Sequence, residues 1–255
     1  MKRLFTLVAL SFFLANCTDS TQEGTPVLQI LLEDSPADYQ DVKIKIENVA
    51  IFSGDGWHEL NNYKSVISIL NYTAGKSLLI VNESVPKGDY SKIRFTFARE
   101  GALTYQNRPV TLKMTETNAV IELPISLRFA EQNEYLYFDF DVAASIDIDN
   151  EEIKPQISFI DISSAGAISG AITNSKGIGI DQQMLVKCVA KEGSAVKFTY
   201  TDKASGVFFI RLMEGEYDLT IYPDSKSQYK YKSIDNVTVN KFAATKLIGI
   251  VMEEK

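Results

Sequence analysis

The sequence predicts an all-β protein built from two antiparallel β-sandwich domains in tandem, and three observations carry that reading. Apolar and polar residues alternate with a period of two from about Val27 onward. Turn-forming clusters interrupt the alternation at intervals of roughly 8 to 15 residues. No stretch shows the 3.6-residue apolar repeat of a long amphipathic helix. Short strands at this spacing, each with one wet face, close most readily into sandwiches.

The first 26 residues stand outside the pattern. "MKRLFTLVALSFFLANC" has a basic Lys2-Arg3 head, an apolar run from Leu4 to Leu14 and small Ala15 ahead of Cys17, which is the order of an export signal over residues 1–16. The run is shorter than the ~20 apolar residues a membrane-spanning helix needs. "TDSTQEGTP" then reads as a flexible tether, so residues 17–26 join whatever holds Cys17 to the fold.

Strands begin next. Val42, Ile44 and Ile46 alternate with Lys43, Lys45 and Glu47, and Ile93, Phe95 and Phe97 with Lys92, Arg94 and Thr96. The segment Val66 to Val81 fits a strand, a short helix and a strand. In "VIELPISLRF", Ile121, Leu123, Ile125, Leu127 and Phe129 share a face, and Pro124 predicts an edge strand or a bulge because it cannot donate to a ladder. "YLYFDFDV" sets Leu136, Phe138, Phe140 and Val142 against Tyr135, Tyr137, Asp139 and Asp141. "KPQISFIDI" is the expected last strand of a first domain over residues 27–162. "SSAG" (Ser163 to Gly166) marks a boundary, and seven further short strands are expected in a second, smaller sandwich over residues 166–255.

Charge narrows the partners. With 26 basic and 33 acidic side chains the net charge is −7, and loss of Lys2 and Arg3 with the signal deepens it to −9. No basic patch offsets that field, so nucleic acid is not an expected partner.

Several segments resemble known families. Leu14-Ala15-Asn16-Cys17 is similar to the lipobox of bacterial lipoproteins, with Asn16 where a smaller residue is usual. The resemblance implies a diacylglycerol on the Cys17 thiol and an acylated amine, and two or more chains anchor a domain stably where one does not. It also implies attachment to the bacterial outer membrane, on the periplasmic or cell-surface side. Residues 27–162 resemble domain-of-unknown-function family 4382, found in Gram-negative surface lipoproteins. The resemblance rests on "LLEDSPADYQDVKIKIENVAIFSGDGWHEL", "LNYTAGKSLLI", "VPKGDYSKIRF", "LYFDFDVAASI" and "KPQI". It brings no established activity. Residues 166–255 resemble the carboxypeptidase regulatory-like domains, through "GAISGAITNSKGIGI" and "SGVFFIRLMEGEYDLTIYP". That resemblance implies a seven-stranded transthyretin-like sandwich acting as a spacer or a sugar-binding-like module.

Candidate chemistry is sparse. His58 is the sole histidine, so any Ser-His or Cys-His arrangement has to use it, and its neighbours are strand residues. Cys188, alternating with Val186 and Ala190, reads as a small buried residue. Asp34 and Asp38 crowd one acidic turn and Asp147 and Asp149 another. These are weak candidate calcium ligands, and turn chemistry is the better explanation of Asp there. The stripe Tyr135, Tyr137, Asp139, Asp141 is a candidate ligand surface: tyrosines beside carboxylates suit sugars, and carboxylates at i, i+2 lie about 7 Å apart. A solvated face or a domain contact explains it too.

The reading is therefore a lipid-anchored envelope protein, not an enzyme and without a cofactor, that binds a glycan or surface polymer or acts as a structural partner of other envelope proteins. An unrecognised hydrolase is the remaining alternative. Replacing Cys17 by Ser is expected to release the protein from membranes and abolish fatty-acid incorporation, checked by fractionation and by labelling with a palmitate analogue. A Cys17→Ser protein still found in membranes would refute the anchor.

Overall fold

The structure, a computed structural model, describes residues 25–35, 37, 39–73 and 75–255. Cys17 and Asp38 lie outside the described residues. The strands of the first half are β1 (Leu28–Ser35), β2 (Asp41–Ile44), β3 (Ile46–Ser53), β4 (Gly56–Leu60), β5 (Ile67–Ser68), β6 (Leu78–Glu83), β7 (Gly88–Phe97), β8 (Glu100–Tyr105), β9 (Arg108–Lys113), β10 (Val120–Phe129), β11 (Glu134–Asp141), β12 (Ile146–Asp147), β13 (Glu152–Ile153) and β14 (Ile157–Ile160). A 3-10 turn at Ile69–Tyr72 separates β5 from β6, which resolves the mixed segment as strand, short helix and strand. One helical turn, α1 (Val142–Ser145), follows β11.

Two sheets face each other, ordered β14-β11-β1-β6 and β10-β7-β3-β4, and a third, β12-β13-β9-β8-β2-β5, joins the same hydrophobic core. The alternation in the sequence supplies that core directly. Phe95 and Phe97 of β7 meet Phe138 and Phe140 of β11 edge-on, with ring centroids 5.1 and 6.0 Å apart, so two aromatic pairs bridge the sheets. Edge-to-face packing adds about 0.5–1.5 kcal/mol per pair beyond area burial. Pro124 sits on β10, an edge strand, where the register with β7 shifts between Pro124 and Leu127. Both predicted devices are thus present together.

The second half contains β15 (Ala165–Thr173), β16 (Leu185–Ala190), β17 (Val196–Tyr200), β18 (Val207–Met213), β19 (Gly215–Tyr222), β20 (Lys232–Val239) and β21 (Ala244–Val251). They form a three-stranded sheet, β18-β15-β21, and a four-stranded sheet, β17-β16-β19-β20, around a second core that includes Ile168, Val186, Cys188, Phe208 and Leu219. Cys188 is fully buried, and burial pushes its thiol up to about 12, so it behaves as an apolar residue.

Most pairings are antiparallel. The expectation of purely antiparallel sheets needs correction at three places: β1–β11, β9–β13 and β15–β21 run parallel. Parallel neighbours cannot be joined by a tight hairpin. The alternation pattern carries no sign of direction, and β1 meets β11 in an unbroken register from Leu28–Glu134 to Ser35–Asp141.

Truncating Phe138 to Ala removes the ring that packs on Phe95. A loss of about 3–5 kcal/mol is expected, measured by chemical denaturation, whereas Tyr231→Ala on the exposed surface should change stability by less than about 0.5 kcal/mol.

Candidate functional site

The stripe on β11 is the first place to look. Because β11 pairs with β1 in parallel register, Tyr135, Tyr137 and Asp139 share a face with Gln29, Leu31 and Glu33. That face is not an open platform, and the stripe does not act as one surface. Tyr135 is exposed, but Tyr137 lies under the guanidinium of Arg211, 5.6 Å from its ring centroid. Asp139 is buried, and Asp141 caps α1 by accepting a 2.9 Å hydrogen bond from the Ala144 amide. The reason is long-range: β18 of the second half packs onto part of this face, so Tyr137 and Asp139, read as facing a ligand, face a domain.

Arg211, on β18, fixes that contact. Its Nε donates to both carboxylate oxygens of Glu33, at 2.7 and 2.9 Å, across 178 residues of sequence. The guanidinium also lies 5.6 Å from the Phe209 ring centroid, so it is held between rings from both halves. Gly75 allows the closure: with φ of +83° it meets the Phe209 ring, and a Cβ there would stand 3.1 Å from it. A cavity of about 160 Å³ remains in the seam, walled by Glu33, Asp34, Asp139, Phe159, Phe198 and Arg211 among others.

The seam is electrostatically costly. Burial raises the Glu33 carboxyl, while the Arg211 hydrogen bond and charge pull it down. Asp34 is raised well above the ordinary carboxylate value, first by burial and then by the Asp139 charge. Neither of its carboxyl oxygens has a hydrogen-bond partner. The backbone amide of Val142 pulls its pKa the other way without the geometry of a hydrogen bond. Asp34 is therefore no calcium ligand in waiting at an exposed turn. In the other acidic turn, Asp147 accepts from the Asn150 amide and side chain, at 3.2 and 2.8 Å, and these bonds lower its pKa. Asp149 stands in the same turn, and among the described residues no group of three or more His, Cys, Asp or Glu is arranged to hold a metal ion. His58 sits on β4 opposite Ile51 as an ordinary strand residue.

Besides that cavity, three open hollows of about 990, 650 and 520 Å³ lie in a row, neighbours sharing wall residues. The first contains Gln183, Tyr200, Tyr222 and Tyr229. The second shares Gln183, Tyr200 and Lys203 with it, and adds Tyr39, Asn71 and Tyr105 from the first half. The third shares Tyr222 and Tyr229 and extends to Tyr231, whose ring stacks with Tyr222 at 6.5 Å and 27°. Adjoining hollows lined with tyrosines and side-chain amides thus form a trough that crosses both halves. Gln40 and Asn107 lock one end, exchanging two 2.8 Å hydrogen bonds, and Ser227 donates to Gln182 at 2.7 Å in the wall of the first hollow. These tyrosines come from loops and strand ends scattered over some 190 residues (Tyr39 to Tyr231), so no local pattern announces them. The one available signal was the tyrosine content itself, 12 residues.

The sequence profile of the domain of unknown function DUF4382 matches residues 25–155. The chain belongs to the DUF4382 family. The matched span holds β1 through β13, and so includes Glu33, Asp34 and Asp139 but not Arg211. No curated protein matches the chain. Among solved structures, the chain is similar to the minor pilin GBS52 of Streptococcus agalactiae, at 13% identity over 89% of this chain and 96% of that one, with a TM-score of 0.29. It is also similar to the Bacillus anthracis TIE protein, at 13% identity, 89% and 40% coverage and a TM-score of 0.28. A third is the C-terminal fragment of the pilus adhesin SpaC from Lactobacillus rhamnosus GG, at 8% identity, 91% and 98% coverage and 0.26. In this DUF4382 protein no helix among the described residues is long and apolar enough to cross a membrane.

Replacing Arg211 by Met leaves Glu33 buried without its cation. A loss of about 3–5 kcal/mol is expected at pH 7. It should shrink toward pH 5 as the stranded carboxyl takes up a proton, which denaturation at both pH values will show.

Proposed function

We propose that this DUF4382 protein is a non-catalytic binding protein of the cell envelope, anchored by lipid at Cys17, that holds a glycan chain in the trough running from Tyr39 to Tyr231. The trough is the observation that carries the reading. Tyrosine rings present flat apolar faces with a polar edge, and the amides of Gln183 and Asn71 offer donors and acceptors between them. That combination suits the alternating CH-rich faces and hydroxyls of linked sugar rings. An open channel with two ends accommodates a polymer better than a single small molecule, which prefers enclosed, mostly apolar pockets.

The lining also argues against hydrolysis. Of the three carboxylates along the trough, Asp181, Asp202 and Asp224, the last two are turned into their own loops: Asp202 accepts from the Ser205 amide and hydroxyl at 2.8 and 2.6 Å, and Asp224 from the Lys226 amide at 2.8 Å. Both of these are engaged in shaping a turn, which leaves Asp181 by itself where a glycosidase needs a carboxyl pair facing across the bond to be cut. The carboxypeptidase regulatory-like assignment of the second half is supported by its seven strands in a three-plus-four arrangement. A second reading, a structural partner of other envelope proteins, is favoured by β21, a sheet edge that leaves Ile248 85% exposed.

The test is binding of the soluble protein to a β-glucan, a galactomannan and an α-mannan by affinity electrophoresis, followed by a wider glycan array. Retention of at least one polymer is expected, and Tyr200→Ala combined with Tyr222→Ala should weaken it at least about tenfold, the loss of roughly 1.4 kcal/mol. No retention by any glycan, or retention unaffected by both substitutions, would remove the trough as the site.

A further inference from the structure

We infer that the cavity in the seam is a binding site for a small neutral molecule built on one ring and carrying one hydrogen-bond acceptor, held between the two halves of the chain. The cavity shares no wall residue with the trough, so this site stands apart from the glycan reading.

Size and lining come first. The cavity holds about 160 Å³, and an apolar cavity of about 150 Å³ takes one benzene. Three large apolar side chains on its wall, Phe159, Phe198 and Met213, are 41, 47 and 52% exposed, so the space opens to solvent. They come from both halves: Phe159 lies on β14, Phe198 on β17 and Met213 at the end of β18. Phe209 of β18 adds a further ring. Apolar groups left exposed around one concavity, with a few polar groups among them, are the ordinary make-up of a small-molecule site.

Two of the rings are held from behind. Phe159 rests on the core ring of Phe138, with centroids 5.6 Å apart, and Phe209 lies against Arg211 and Gly75. Protein contacts set their positions, so little side-chain freedom is lost when a ligand ring enters. Because both halves supply walls, the ligand fits only their docked arrangement and stabilises it by mass action.

Polar groups on the wall narrow the chemistry. Tyr217 donates to the Met213 carbonyl at 3.0 Å and Thr199 to the Phe209 carbonyl at 3.1 Å, so both hydroxyl protons are taken. Arg211 spends its Nε on Glu33, and among the described residues its two terminal nitrogens have no hydrogen-bond acceptor. A ligand oxygen would supply one. That oxygen belongs to a neutral group. The wall carries Glu33, Asp139 and Asp161 against Arg211 and Lys197, so a carboxylate would add to an acidic excess. An ammonium would stand beside a guanidinium and offer it no lone pair.

Benzyl alcohol, benzoate and benzylamine, which share a ring and differ in charge, are the probes. The full chain, carrying Cys17→Ser to keep it in solution and labelled at its methionine methyls, is titrated with each and followed by NMR. The Met213 signal is assigned by its loss in Met213→Leu. With benzyl alcohol the Met213 methyl is expected to shift along a saturating curve with a Kd of about 1 mM or tighter. Met114, in the core of the first half, and Met252, in the core of the second, should stay in place. Benzoate and benzylamine should bind at least about fivefold more weakly. Phe198→Ala, at an exposed position where the fold has little to lose, should weaken benzyl alcohol by about the same factor. A Met213 methyl that does not move, or that drifts linearly together with Met114 and Met252, overturns the site. So does unchanged affinity in Phe198→Ala, with circular dichroism showing that variant folded. Benzoate or benzylamine binding as tightly as benzyl alcohol overturns the neutral ligand class.

Discussion

One guanidinium holds the two halves of this molecule in relation to each other. Arg211 reaches across the seam to Glu33, lies against rings from both sides and covers the face of β11 that would otherwise meet water. Without it, Glu33 would be a buried anion deprived of the cation it is paired with. The Tyr39 end of the trough depends on the two halves meeting, since both supply its walls.

The interior of each half rests on more ordinary physics. Alternating apolar residues fill two separate cores, and aromatic pairs between β7 and β11 bind the facing sheets of the DUF4382 domain. These cores contain no charged group that needs a partner in the other half. Polar demand is concentrated at the seam instead.

Much of the fold was legible in the sequence because a period of two is a local signal. Val42 and Ile44, Ile93 to Phe97 and all seven strands of the second half stand where alternation puts them, and Pro124 marks both an edge and a bulge. The site was legible only in kind. Tyr137 and Asp139 alternate as a wet face should, and nothing near them in sequence says that β18, some 70 residues later, will cover them. Asp34 resembles a turn residue beside Pro36, and only tertiary packing buries it. The trough gathers Tyr39, Tyr105, Tyr200, Tyr222 and Tyr231 from distant loops, a convergence that no short-range pattern encodes.

The parallel pairs have a kinetic consequence. Leu28 meets Glu134, and Ala167 meets Ala244, so in each half the first strand pairs with one made much later. Contacts of such sequence separation form slowly, because loop closure precedes any reward. A chain emerging from its N-terminus would carry β1 unpaired on one side until β11 has followed, and β15 until β21 has followed. Each half therefore completes its architecture late, and a chain made in order remains open, and open to chaperones or proteases, for most of its synthesis.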